Sequence, residues 1–401
     1  MPSNDSSVKE ALDKKAAYGA DVDIDHYDEG EREPEFIEDL QSSDYARYME
    51  QVGVVADEMA RSGTLTFIDN GMSHRSHHVQ EGLELMSTSE AMKLHDGLKD
   101  YFWTIMDPTK DKYTAKSYLE NSDGYFIRVK SGYHIKYPVQ TCMMRESNKS
   151  IQNLHNIVIV EDNASLELIT GCTTVHKAND ALHVGVSEMF VGDNANLTFS
   201  MIHNWSDATA VRPRTNCVIG KNSNYTNNYV MMNPVGTLQS YPVAHVGENS
   251  SATYNTMCVA TKGSSIDTGG MSILEGKNAR SEIMSRSISN GGRMVARGKL
   301  VGKAPGAKGH LECRSIILDD EGSATAIPEL DAQLADVEMT HEAAVGKIAR
   351  DQIEYIMSRG LTEDQAVSMI VRGFLSGNIT GLPKELQDEL EKAVNTANLG
   401  N

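Results

Sequence analysis

The chain has 401 residues, a formal net charge of −19 and an isoelectric point near 5.1. This acidity argues against a nucleic-acid-binding protein, because binding to phosphates depends on clustered Lys and Arg side chains. No segment approaches the roughly 18 to 20 consecutive apolar residues that cross a bilayer, and the N-terminus lacks an apolar signal-peptide core. We therefore expect a cytoplasmic protein that binds neither nucleic acid nor membrane.

The N-terminal part of the chain divides into two regions. Residues 1–40 are polar and acidic with little periodicity, which predicts a partly disordered arm. Residues 41–121 then place apolar side chains at helical spacing, as at Tyr45, Tyr48 and Val52, and we expect a helical or mixed region there.

Residues 122–330 show an internal repeat. Short β-branched runs alternate with Gly, Asn, Asp and Ser, and a turn containing Asn recurs every 27 to 31 residues. The recurring turn residues are Asn163, Asn194, Asn222, Asn249 and Asn278. A repeat of this period is typical of stacked coils, and Asn tolerates the left-handed backbone of tight turns. The pattern predicts a parallel β-helix, with a β-sandwich as the alternative fold.

Helical spacing returns in residues 331–401, which are predicted to form a C-terminal helical region. The apolar face of its first predicted helix consists of Val345, Ala349, Ile353 and Ile356. That helix ends at Gly360, and the next opens at a capping box formed by Thr362 and Gln365. A third, charged helix is predicted to begin at Pro383.

Several enzyme classes are excluded by their motifs. The sequence has no phosphate-binding loop, dinucleotide fingerprint, nucleophile elbow or zinc-protease motif. We therefore expect that the chain does not bind ATP itself and has no independent enzymatic activity. A carbohydrate-active β-helix enzyme would need two carboxylates poised as acid and base, and no close-set acidic pair stands out on the repeats.

The best candidate for metal chemistry combines Cys313 with His341 and Glu342, because thiolate, imidazole and carboxylate are ligands of iron. We place His341 and Glu342 at the start of a helix. Glu312 is set aside, since neighbouring residues on a strand point to opposite faces. From spacing alone a structural role is favoured, with His341 in the core and Glu342 facing the helix dipole.

Cys172 is a second candidate, since His176 and His183 follow it in the sequence. A thiol beside imidazoles can be a nucleophile or a sulfur acceptor. A cysteine buried between coils is an equally good interpretation.

Four segments of the sequence together resemble the SufB/SufD family. They are SDGYFIRVKSGYHIKYPVQ at 122–140, TGCTTVHKANDALHVGV at 170–186, HLECRSIILDDEGSATAIPEL at 310–330 and HEAAVGKIARDQIEYIMSRGLTEDQAVSMIVRGF at 341–374. The resemblance implies a right-handed parallel β-helix between helical terminal regions. It also implies a scaffold for de novo iron–sulfur cluster assembly that hydrolyses no ATP and docks SufC, an ABC-type ATPase, on its C-terminal helical region.

The resemblance also implies roles for individual residues. Cys313 matches the cysteine where the nascent cluster forms, and Glu342, next to His341, matches its acidic partner, which makes the sequence SufB-like. Cys172 matches a cysteine thought to receive sulfur, and Trp205 and Lys221 match tunnel residues between the two sites. His203 stands where the family leads us to expect glutamine.

The short chain resembles the minimal form of the family system. That form implies a homodimer through the β-helix, with a SufD-like heterodimer as the alternative, and apo iron–sulfur proteins as acceptors. The cofactor implied is a transient iron–sulfur cluster, and participation of reduced flavin is left open. The alternative functions are a SufD-like structural partner without its own cluster and the carbohydrate-active enzyme.

Overall fold

A computed structural model describes residues 5–17, 19–175 and 180–376. The predicted helix from Pro383 and the candidate His176 lie outside these residues. The α-helices are α1 (Asp5–Glu10), α2 (Ala46–Glu50), α3 (Thr88–Leu94), α4 (Lys112–Leu119), α5 (Arg350–Met357) and α6 (Glu363–Ser376). Short 3-10 helices span Ala11–Asp13, Ile24–His26, Glu58–Ala60 and Asp96–Asp100. Within the described residues, no helix is both long and apolar enough to cross a membrane.

Strands are the commonest secondary structure of the described chain and make up 47% of it. They are β1 (Asp28–Glu29), β2 (Gly63–Ile68), β3 (Gly71–Arg75), β4 (Leu83–Ser87), β5 (Tyr125–Val129), β6 (Val139–Arg145), β7 (Ser150–Val160), β8 (Ser165–Thr174), β9 (Ala181–Val191), β10 (Asn196–Asn204), β11 (Thr209–Ile219), β12 (Asn224–Met231), β13 (Thr237–Ser240), β14 (Val243–Val246), β15 (Ser251–Thr261), β16 (Ser265–Leu274), β17 (Arg280–Asn290), β18 (Arg293–Gly302), β19 (Lys308–Ile317), β20 (Ser323–Ala332) and β21 (Glu338–Gly346).

The strands form two long sheets that face each other. One has the order β20-β18-β16-β13-β11-β9-β7-β5-β4, and the other β21-β19-β17-β15-β12-β10-β8-β6-β2-β3. From β5 onward the chain alternates between the sheets, except that β13 and β14 both lie in the first. From β5 to β21, neighbouring strands in a sheet pair in parallel. The described residues thus form a parallel β-solenoid of about seven turns, as the repeat predicted, and the β-sandwich alternative is wrong.

The repeated asparagines all adopt the left-handed backbone, with φ between 52° and 58°. Each donates its backbone N–H to a carbonyl in the next coil, as Asn163 does to Asp193 (2.8 Å). Gly132 and Gly306 occupy the same position in further coils, with φ of 79° and 71° and the same hydrogen bond. The repeat therefore extends beyond the predicted five turns, because Gly satisfies the same backbone requirement as Asn.

The N-terminal region packs on the outside of the β-helix. Met106 and Tyr113 cover the outward side chains Leu182 and Val184 of β9, while Val52 and its neighbours cover the other sheet. Parts of the predicted disordered arm also pack, since Val8, Ile24 and Leu40 are buried. These three side chains are packed within the arm, whose partial disorder stays a prediction.

The C-terminal end differs from its prediction in one important respect. His341 and Glu342 do not open a helix: they lie in β21, which pairs in parallel with β19, and the helix begins at Arg350. A short apolar run fits strand and helix alike, and here pairing with the preceding coil decides for the strand. The Gly360 helix end is confirmed, with φ of 94°. The capping box is confirmed as well, by both reciprocal hydrogen bonds between Thr362 and Gln365.

Candidate functional site

Cys313 faces the interior of the β-helix near its C-terminal end. It lies on β19 between Ser285 of β17 and Ala343 of β21, and its side chain is fully buried in the main core. Burial, with a smaller contribution from the charge of Glu312, raises the pKa of Cys313 to about 11. The thiol is therefore protonated at neutral pH, and a metal that binds it must displace the proton.

The acidic candidates lie on the opposite face of the same sheet. Glu312 pairs in register with Glu342, and Arg314 contacts both carboxylates, at 3.4 Å and 2.7 Å. Because successive residues on a strand alternate faces, Glu312 points away from Cys313, as predicted. The same rule applies to Glu342, so one copy of the chain does not bring Glu342 and Cys313 together.

His341 is the candidate on the same face as Cys313. It pairs in register with the buried Leu311, two residues before Ala343, which pairs with Cys313. Its side chain is nevertheless exposed, because β21 is the last strand of its sheet in the described chain. Among those of residues 5–376 that the structure describes, the interior of the β-helix is thus open at this end, and His341 lies at the opening.

The described residues of one copy do not form a complete metal site. They contain no group of three or more His, Cys, Asp and Glu side chains placed to hold a metal ion. Iron–sulfur clusters usually take about four protein ligands. Cys313 and His341 share a face at this end, so further ligands for a metal would have to come from outside the described residues of one copy.

Cys172 lies deeper in the same interior. It is fully buried on β8, between Met143 of β6 and His203 of β10. The outward side of the strand is closed by Val52, which would collide with a Cβ at Gly171 (2.4 Å). Burial, followed by the neighbouring Cys142 thiol, raises the pKa of Cys172 well above its usual range.

The two predicted tunnel residues occupy different places. Trp205 is buried in the main core at the end of β10. Lys221 lies in the turn after β11, where its side chain is 62% exposed and its ammonium lies 3.7 Å from Glu248. The structure therefore places Trp205 beside His203, the neighbour of Cys172 in register, but leaves Lys221 on the surface.

Polar interior residues between the two cysteines were not singled out from the sequence. From Cys172 one inward column passes through His203, Met231, Cys258, Ser287 and Ser315. The adjacent column passes through Tyr229, Thr256 and Ser285 to Cys313. A small cavity of about 10 Å³ lies beside Tyr229 and Thr256, which is at the lower limit for one water molecule. The sequence signal that could have identified them is the presence of polar residues at positions that point inward, in strands whose side chains alternate between the two faces.

These features define a parallel β-helix protein that encloses thiols in a partly polar interior and whose described residues leave the last coil exposed. Comparison with known proteins refines this class. Residues 142–374 match the family model described as the SUF system FeS cluster assembly, SufBD core domain. The chain belongs to the SufBD family of iron–sulfur cluster assembly proteins.

Individual relatives agree with the family match. A protein of Archaeoglobus fulgidus named iron-sulfur cluster assembly SufBD family protein is 42% identical over 87% of this chain and 94% of its own length. One of the same name from Methanothermobacter thermautotrophicus is 41% identical over 96% of both chains. A SufBD family protein of Pyrococcus horikoshii is 30% identical over 79% of this chain and 72% of its own. The resemblance noted from the sequence is therefore confirmed.

Proposed function

We propose that the chain is a scaffold on which iron–sulfur clusters are assembled, with Cys313 as the ligand that anchors the nascent cluster. The position of Cys313 supports this most directly, since its thiol lies one strand from the open end of the interior. Family membership supports the class of function. The cluster is cargo that leaves for an apo-acceptor, so a site that is incomplete in one copy suits the role.

The missing ligands are proposed to come from a second copy of the chain. β20 and β21 are the final strands of the two sheets in the described residues. They expose Leu330 and Val345, and the turn between them exposes Leu334. Exposed strand edges readily pair with another chain. A symmetric dimer through this end would place two Cys313 thiols and two His341 imidazoles near one interface. Glu342 would join from the outward face of β21 of either copy.

The C-terminal helices are proposed to dock a SufC-like ABC ATPase. α6 packs on the β-helix through Val371 and Leu375 but leaves Met369 51% exposed, and α5 leaves Tyr355 62% exposed. Exposed large apolar side chains on neighbouring helices are typical of a surface that binds another protein. Movement of these helices by the ATPase would act on β21, which directly precedes α5. The proposal assigns no role to reduced flavin.

Sulfur is proposed to reach Cys313 through the interior from Cys172. The two residues are five strand spacings apart, which is about 24 Å at 4.8 Å per strand. The hydroxyl-bearing columns and the cavity beside Tyr229 lie between them. Trp205 belongs to this route, whereas Lys221 is left out because its side chain is on the surface.

Anaerobic reconstitution with ferrous iron and free sulfide tests the scaffold function. Wild-type protein is expected to gain visible absorption and to transfer the cluster to an apo-acceptor, and Cys313→Ser to retain less than about a tenth of it, because the anchoring thiolate is lost. Cys258→Ser is the matched control, since Cys258 is equally buried in the same sheet. Equal cluster binding by wild type and Cys313→Ser would make the chain a SufD-like structural partner.

A further inference from the structure

A cluster of rings fills the interior beside Cys172. The ring centre of Trp205 lies 4.8 Å from that of His183 and 5.4 Å from that of His203, and the two imidazoles are 6.1 Å apart. His203 is the neighbour of Cys172 in register, so both side chains point into the interior. Cys172, His183 and His203 lie on β8, β9 and β10. Trp205 directly follows β10, and all four residues are buried.

Two polar atoms in this cluster have no hydrogen-bond partner within the described structure: Nε2 of His203 and Nε1 of Trp205. An unmet polar atom in a protein interior is costly. Such atoms are uncommon, and each invites a ligand as its explanation. The indole nitrogen can only donate a hydrogen bond.

The hydrogen bonds around His203 indicate which nitrogen carries its proton. The Tyr229 hydroxyl lies 2.9 Å from Nδ1. If this hydroxyl donates, its proton is satisfied and the ring proton lies on Nε2. If Nδ1 instead carried the ring proton and donated to the hydroxyl oxygen, the proton of the Tyr229 hydroxyl would lose this acceptor. We therefore assign His203 as a second N–H donor directed into the interior.

His183 has the complementary arrangement. The amide nitrogen of Gln152 donates to the carbonyls of Asp69 (2.5 Å) and Met144 (3.2 Å), which fixes the orientation of the amide. Its oxygen therefore accepts from Nδ1 of His183 (2.8 Å), which makes Nε2 the unprotonated, acceptor nitrogen of this ring. Burial, and then the charge of Arg145, lowers the pKa of His183 to about 3. Burial and His183 lower that of His203 well below its usual range, so both rings are neutral.

We propose that His183, His203 and Trp205 form a binding pocket for the terminal sulfur of a hydropersulfide on Cys172. His203 and Trp205 donate N–H bonds to that sulfur, and its S–H donates to His183. A neutral S–H has one donor and lone pairs, which matches one acceptor and two donors. The inference rests on the proposed role of Cys172 as sulfur acceptor and adds the residues that retain the sulfur.

The transfer of sulfur from a donor persulfide to Cys172 needs no oxidant. The Cys172 thiol and a donor persulfide, R–S–SH, give Cys172–S–SH and R–SH. The Cys172 sulfur forms a bond to the outer sulfur of the donor as the S–S bond of the donor breaks. The proton of the Cys172 thiol ends on the departing R–S group. The pocket then holds the product in its neutral form.

Retention of sulfur on Cys172 tests the pocket. Protein is loaded anaerobically with glutathione persulfide, freed of excess reagent, and sampled over time by denaturing alkylation and mass spectrometry of the Cys172 peptide. Trp205→Phe keeps an aromatic ring without the N–H, and His203→Leu removes the other donor. Each is expected to lose the sulfur about fivefold faster, the effect of one hydrogen bond between neutral groups.

Two further variants separate hydrogen bonding from packing. His203→Gln keeps a side-chain N–H and is expected to hold sulfur almost as well as wild type. Tyr254→Phe alters another interior ring, whose hydroxyl bonds to the Met271 carbonyl, and should have no effect. Near-ultraviolet circular dichroism checks that each variant is folded.

Three results would overturn the pocket. Wild-type retention in both Trp205→Phe and His203→Leu would show that the N–H groups hold no sulfur. Equal losses in His203→Gln and His203→Leu, with Trp205→Phe unchanged, would assign the effect to packing. Absence of persulfide on wild-type Cys172 would remove the ligand itself. Reconstitution at Cys313 uses free sulfide and bypasses Cys172, so it reports on the scaffold function independently.

Discussion

The surroundings of Cys172 and Cys313 differ, although both thiols face the same interior. Around Cys172 the β-helix is closed: N-terminal segments cover both sheets, and further coils continue on either side. Around Cys313 only β21 lies between the thiol and the end of the described sheet. The same strand alternation thus creates one thiol within the stack and one thiol near its end, and exposure at the end of the stack accounts for the difference.

The largest expected effect concerns buried charge in the closed region. Glu188 accepts hydrogen bonds from the backbone N–H groups of Trp103, Ile105 and Met106 and contacts His155 at 2.9 Å. Glu188→Ala should lower the free energy of unfolding by about 3–5 kcal/mol, because these buried partners lose their acceptor. In the open region Glu342→Ala removes only an exposed ion pair and should cost less than about 1 kcal/mol. Urea titration measures both, and equal losses would contradict the comparison.

Thiol reactivity gives the next largest contrast. Cys313 should react with iodoacetamide about a hundredfold faster than Cys172, because freeing an end strand requires less unfolding than opening the closed coils. With a Cys313 pKa of about 11, the thiolate fraction, and hence the rate, should rise about tenfold from pH 8 to pH 9. Time-resolved mass spectrometry measures each site. A Cys313 rate that is independent of pH would show that opening, and not ionisation, limits the reaction.

Dimer formation separates the two ends of the molecule. Val345, on β21, is 44% exposed, and Leu94, at the distant end of α3, is 62% exposed. Val345→Glu should raise the dimer dissociation constant at least about tenfold, since a charge at the centre of an interface is poorly tolerated, whereas Leu94→Glu should leave it unchanged. Sedimentation velocity over a dilution series measures the constant. A dimer weakened only by Leu94→Glu would place the interface elsewhere.

The smallest effect concerns the turns that both regions share. Asn222→Ala should lower the free energy of unfolding by about 1 kcal/mol, because Ala is disfavoured at the φ of 52° found there. Asn222→Gly should cost only a few tenths of that, since Gly adopts this conformation freely. The midpoints of urea unfolding measure the difference. If both variants lose equally, the side-chain hydrogen bonds to Asn194 and Asn249 matter more than the backbone.

The sequence predicted the β-helix because its turns depend on a local backbone requirement that Asn reveals. It failed at β21, where His341, Val345 and Ala349 match helical spacing but the strand is fixed by pairing with β19, a contact between distant segments. Cys313 was proposed from its motif, which stays a prediction, and Glu312 was assigned correctly to the other face. The outward position of Glu342 and the ring cluster at His203 depend on the register between coils, which local spacing does not contain.

The turn column has one further consequence, for the distance between the thiols. Since each coil closes through the same left-handed turn and the same hydrogen bond to the next coil, coils can be added or removed only whole. The gap from Cys172 to Cys313 is therefore quantised in steps of about 4.8 Å. Point substitutions therefore change the side chains that line the path between the two thiols. Only the gain or loss of a complete repeat changes the length of that path.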